Sequence, residues 1–69
     1  MKLSARNQLK GKIIDVKKGA TTAHVCLEIA PGQIVTAAIT NEAVEELGLK
    51  TGASASAVIK ASDVMIAID

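Results

Sequence analysis

Apolar and polar residues alternate most cleanly between Thr22 and Ile29, with Ala23, Val25, Leu27 and Ile29 on one face and Thr22, His24, Cys26 and Glu28 on the other. A period of two is the mark of a half-buried strand. Upstream, Leu9, Ile13, Ile14 and Val16 are mixed with lysines, which predicts a half-exposed first strand over 9–17 with a bend or bulge at Gly11. Ala30-Pro31-Gly32-Gln33 has Pro and Gly where a type II turn needs them, so Ile34–Ile39 follows as a third strand in a meander. Thr40 is placed to cap a short helix. Glu42 lies in its first turn, Ala43, Val44 and Leu47 form its apolar side, and Gly48 ends it in a left-handed conformation. Small and apolar residues alternate again from Ser54 to Ile59, and Val64–Ile68 reads as a fifth strand. The expected fold is all-β with one short helix, an OB-fold-like five-stranded barrel in the order β-β-β-α-β-β.

Length and composition change this picture by asking for support from outside the chain. A single domain spanning 1–69 buries little surface, and its one cysteine, Cys26, excludes an internal disulfide. Twelve alanines and no aromatic residue leave thin, flat apolar surfaces suited to close packing on a neighbour, so a homo-oligomer is expected. Eight Lys and Arg against seven Asp and Glu give a net charge of +1, too balanced for a polyanionic partner. Nucleic acid is disfavoured further because an OB barrel stacks bases on aromatic side chains, and none exists here. No apolar run matches a membrane span or a signal peptide, so no membrane association and a cytoplasmic location are expected.

Candidate chemistry is sparse. Two cationic, hydroxyl-bearing segments, Ser4-Ala5-Arg6-Asn7 and Lys60-Ala61-Ser62-Asp63, combine fixed positive charge, short donors and open backbone N–H groups, the makings of an oxyanion receptor. The plainer reading of each is a solvated loop. His24 and Cys26 are the only soft ligands in the chain, too few for a zinc site, and no third group orients them for nucleophilic catalysis. No enzyme is expected. The loop Lys17–Thr22 carries a glycine, two lysines and two hydroxyls, and could present donors to a second anion, although a solvated turn explains it as well.

Taken together, Ser4-Ala5-Arg6-Asn7-Gln8-Leu9-Lys10-Gly11, Thr40-Asn41-Glu42-Ala43-Val44 through Leu47-Gly48-Leu49, Gly52, and Ser54 through Met65 resemble the molbindin (Mop-type) family of small molybdate-binding proteins. The resemblance spans nearly the whole chain. It implies a hexamer, a trimer of dimers, that holds molybdate or tungstate at subunit interfaces for storage and homeostasis, with no organic cofactor and no protein-coordinated metal cation. Carried over by position, Ser4 and Arg6 of one subunit face Lys60, Ala61 and Ser62 of another, with Asn7 beside them. The two segments need not meet within one subunit. A second family site near the symmetry axis is placed on Gly19, Ala20, Thr21, Thr22 and His24. A regulatory or interaction module that senses molybdate and docks on a partner protein is the alternative reading.

The ligand's chemistry agrees with these residues. Molybdate at neutral pH is a dianion that only accepts hydrogen bonds, so its site needs donors and no ionised carboxylate in contact. Arg6 and Lys60 balance charge, Ser4 and Ser62 donate from hydroxyls, and Ala61 donates from its backbone. Protonated phosphate would want an acceptor, and sulfate must be rejected by size. The carboxylate of Asp63 is expected to point away.

Overall fold

The computed structural model describes residues 2–69. Four antiparallel strands, β1 (Asn7–Lys18), β2 (Thr22–Ala30), β3 (Gln33–Thr40) and β4 (Ser54–Ile59), form one sheet in the order β3-β2-β1-β4. The long first strand joins the two halves. Its N-terminal part pairs with β4 from Asn7↔Ile59 to Lys12↔Ser54, and its C-terminal part pairs with β2 from Lys12↔Glu28 to Lys18↔Ala23.

Two residues let β1 serve both partners. At Gly11 the chain runs so close to β2 that an added Cβ would meet the Glu28 carbonyl and lie 3.0 Å from Ile29 Cα. Two residues on, the register with β2 shifts between Ile13 and Asp15, so Ile14 is the extra residue of a bulge. The bulge explains a sequence pattern that breaks strict alternation. Ile13 pairs with Leu27 and Val16 with Val25, so residues three apart both face inward, while Ile14 is pushed outward and is 38% exposed. The bulge expected at Gly11 therefore falls at Ile14, and Gly11 supplies the close approach.

β2 is the best-buried strand, and its inward residues Ala23, Val25 and Leu27 join Ile13 and Val44 in the core. The turn after it has Gly32 at φ 77°, as a type II turn requires at its third residue. Helix α1 (Asn41–Leu47) begins at Thr40, whose Oγ1 accepts from the Ala43 N–H at 3.1 Å, and ends at Gly48 with φ 63°. Val44 anchors it to the core, whereas Leu47, expected on the same apolar side, is 69% exposed.

The fifth strand is absent from this subunit. After β4 the chain makes a 3₁₀ turn, Ala61–Asp63, and residues 64–69 follow without regular structure. A strand needs a neighbour to take its backbone hydrogen bonds, and this segment leaves its own sheet. The sheet is therefore a four-stranded half-barrel, open on one side. Its open side is an apolar groove of about 720 Å³ between β3 and β4, floored by Ile13, Val25 and Leu27.

Candidate functional site

The β1–β4 ladder positions the two cationic segments. Its last pair is Asn7↔Ile59, reinforced by a bond from Asn7 Nδ2 to the Ile59 carbonyl at 3.2 Å. Residues before Asn7 and after Ile59 therefore leave the same end of the sheet side by side. The antiparallel register thus places Arg6 and Lys60, the residues next beyond the last pair, at one end of the sheet.

The 3₁₀ turn shapes the second segment. Its bonds run from Asp63 N–H to the Lys60 carbonyl at 2.9 Å and from Val64 N–H to the Ala61 carbonyl at 3.2 Å. Neither uses the N–H of Ala61 or Ser62, so both stay uncommitted by the turn. Ser4, Arg6, Lys60, Ala61 and Ser62 are exposed and Asn7 is half-buried. One chain thus supplies an open row of donors without walls.

The second candidate lies at the other end of β1. Gly19 to Thr21 connect β1 to β2, and the Gly19 N–H is spent within the turn on the Thr22 carbonyl at 2.8 Å. Thr21 and Thr22 are exposed. His24 also faces outward, between Lys17 and Ala38 on the neighbouring strands. Lys18 is paired with Glu45 at 3.2 Å, so a carboxylate stands near this loop and holds one of its cations. The structure thus keeps the hydroxyls of this loop open while committing part of its charge.

Sequence reasoning missed Asn41. Its Nδ2 donates to the Gly19 carbonyl at 3.0 Å and its backbone N–H donates to the Thr21 carbonyl at 2.9 Å, tying the loop to the start of α1. Its Oδ1 is buried without a hydrogen-bond partner. The signal was available in principle: an Asn directly after a capping Thr has a short side chain free to bond the backbone of a neighbouring loop. Elsewhere, among the described residues, no group of three or more His, Cys, Asp or Glu gathers as a metal site would. No helix of the described residues is long and apolar enough to cross a membrane.

An antiparallel half-barrel with one short helix and open donors at one end of its sheet defines a small, mostly β domain. Comparison with known proteins refines that class. The TOBE domain family matches residues 3–66. Molybdenum-pterin-binding protein 1 of Clostridium pasteurianum is 59% identical over 66 residues, covering 96% of this chain and 97% of the relative. The solved structure of a molybdate-binding protein from Sporomusa ovata superposes with a TM-score of 0.91 at 31% identity, covering 99% of this chain and 100% of the other. The cytoplasmic molybdate-binding protein ModG, solved with molybdate bound, gives a TM-score of 0.90 at 54% identity; the match covers 94% of this chain but 46% of ModG. The chain belongs to the TOBE-domain family, and within it to the molbindin (Mop-type) group of small single-domain proteins.

Proposed function

We propose that this protein binds molybdate, and tungstate by the same chemistry, as a cytoplasmic storage and homeostasis protein without catalytic turnover. The observation that carries the reading is the β1–β4 register, whose last pair, Asn7↔Ile59, sends the segments Ser4–Arg6 and Lys60–Ser62 off from the same end of the sheet. The relatives' molybdate-binding descriptions name the oxyanion that this donor set suits. Asn7 braces the ladder end through the Ile59 carbonyl. The carboxylate of Asp63 turns away from the bound anion.

The functional unit is a homo-oligomer of one domain, 1–69, arranged as a hexamer built from three dimers. Two features support assembly: the buried hydrophobic core of the described residues is Ile13, Ala23, Val25, Leu27 and Val44, and large apolar side chains such as Ile34 and Leu47 stand exposed. Assembly also supplies what the anion site lacks. Donors in open water exchange a ligand for solvent at little gain, and a second subunit closing over them removes that competition. Because each subunit carries both segments at one end of its sheet, packing two such ends together lets Ser4 and Arg6 of one subunit face Lys60, Ala61 and Ser62 of its neighbour. Gly19, Ala20, Thr21, Thr22 and His24 form a second anion site where symmetry brings copies of that loop together.

Ligand that binds only the folded assembly raises its melting temperature by mass action. Heating the purified protein with molybdate, tungstate, sulfate or phosphate should raise the midpoint for the first two and leave the others near the ligand-free value. Equal or absent shifts for all four would refute the reading.

A further inference from the structure

Each peptide unit of the loop between β1 and β2 carries an anion-attracting N–H on one side and an anion-repelling carbonyl on the other. Which side it shows decides its chemistry. In this loop the carbonyls are largely taken. That of Thr22 accepts from the Gly19 N–H at 2.8 Å, that of Thr21 from the Asn41 N–H at 2.9 Å, and that of Gly19 from Asn41 Nδ2 at 3.0 Å. Asn41, the first residue of α1, thus holds two of the three. In a planar trans peptide the N–H of a residue points opposite to the carbonyl of the residue before it, and the described residues contain no cis bond. With the Gly19 carbonyl turned to Asn41, the Ala20 N–H is therefore aimed the other way, away from α1. It enters no backbone hydrogen bond among the described residues, and Ala20, Thr21 and Thr22 are all exposed. The Asn41 amide suits this place in one orientation only. Turning it over would set Oδ1, now buried without a partner, against the Gly19 carbonyl.

We propose that Asn41 is a positioning residue for the second anion site: by holding the Gly19 carbonyl to α1, it aims the Ala20 N–H, beside the hydroxyls of Thr21 and Thr22, at the anion. This rests on the reading of Gly19–Thr22 and His24 as such a site. A dianion that only accepts hydrogen bonds is held by an N–H and repelled by a carbonyl, so rotation of the Gly19–Ala20 peptide turns the same loop from receptor to barrier. Glycine does little to prevent that rotation. The ion pair of Lys18 with Glu45 also joins this end of β1 to the helix, but it is exposed and fixes side-chain tips, not a peptide plane. The bond from Asn41 Nδ2 acts on the plane itself. A donor aimed before the anion arrives needs no ordering when it binds, and the affinity gained is the ordering avoided.

The test uses the full chain and compares wild type with Asn41→Ala, Asn41→Asp and Thr40→Ala by equilibrium dialysis against molybdate. Asn41→Asp keeps the shape and loses the donor. Thr40→Ala loosens the same end of α1 without touching the Gly19 carbonyl, so it reports what a merely structural role would do. Wild type should bind in two classes, of which one persists in Arg6→Ala. Both Asn41 variants should weaken that persisting class roughly tenfold or more, the usual scale for losing a group that orients a ligand's partner. They should leave the other class as it is, and Thr40→Ala should leave both. Unchanged affinity in either Asn41 variant, or an equal loss in Thr40→Ala, would overturn the assignment. Wild type decides the matter even where the Asn41 variants unfold. In isotope-labelled protein titrated with molybdate, the Ala20 amide resonance should move downfield as the persisting class fills; a resonance that stays still while that class fills overturns the inference alone. A wild type with no class that survives Arg6→Ala refutes the second-site reading, and the inference falls with it.

Discussion

At the scale of single residues, Arg6 and Lys60 carry the proposed function and Gly11 carries the close approach of β1 to β2. Arg6 offers a rigid fork of donors and Lys60 a compact ammonium, so neither replaces the other. Arg6→Ala and Lys60→Ala should each remove most molybdate binding, measured by equilibrium dialysis, while circular dichroism stays that of the native protein. Both side chains are exposed, so the fold does not rest on them. Full affinity in either variant would take that residue out of the site. Gly11 is the opposite case, silent in chemistry and strict in space. A methyl group there meets the backbone of Glu28 and Ile29, which cannot rotate away as a side chain could. Gly11→Ala should cost about 1–3 kcal/mol of stability, the usual range for overpacking, read as a lowered urea midpoint. An unchanged midpoint would show that β1 and β2 can separate there without loss.

At the scale of elements, what could be read in advance depended on whether an element's partner lay within the chain. The second strand was legible because Ala23, Val25 and Leu27 alternate against a core that their own subunit supplies. Helix α1 was legible from both ends, through Thr40 and Gly48. The same locality makes its cap testable: Thr40→Ala should destabilise the protein by about 1 kcal/mol, seen as a lower thermal midpoint, because the Ala43 N–H loses its acceptor. No change would mean that water replaces the cap at no cost. Less legible was the bulge at Ile14, since Ile13, Ile14 and Val16 are all apolar and only the pairing with Leu27 and Val25 decides which faces inward. The tail misled for a related reason. Val64–Ile68 has the pattern of a strand, but pattern states what a segment can do and not whether its own sheet offers it a neighbour. The candidate anion site divides in the same way. Its residue types could be read from the chain, whereas the placing of its two segments at one end of the sheet required the register of β1 on β4.

At the scale of the whole molecule, the buried core of the described residues is five side chains, and the proposed homo-oligomer predicts that stability depends on concentration. Folding coupled to association makes the thermal midpoint rise with total protein, in contrast to a monomer, whose midpoint is independent of it. Scanning calorimetry over a hundredfold dilution should show the midpoint falling as the protein is diluted. A constant midpoint would mean that one half-barrel is self-sufficient. Added molybdate should flatten this dependence by holding the assembly together at lower concentration.

The open edge of β3 has a further consequence, which falls during synthesis. Ile34-Val35-Thr36-Ala37-Ala38-Ile39 contains no charge and no proline, and it borders the sheet without a lysine to discourage a stranger from pairing with it. The strand on the far side of the groove, β4, is made after it. Every newly made chain thus passes through an interval in which its most adhesive strand is uncovered. The homo-oligomer proposed above would then guard this edge against aggregation as well as serve the anion.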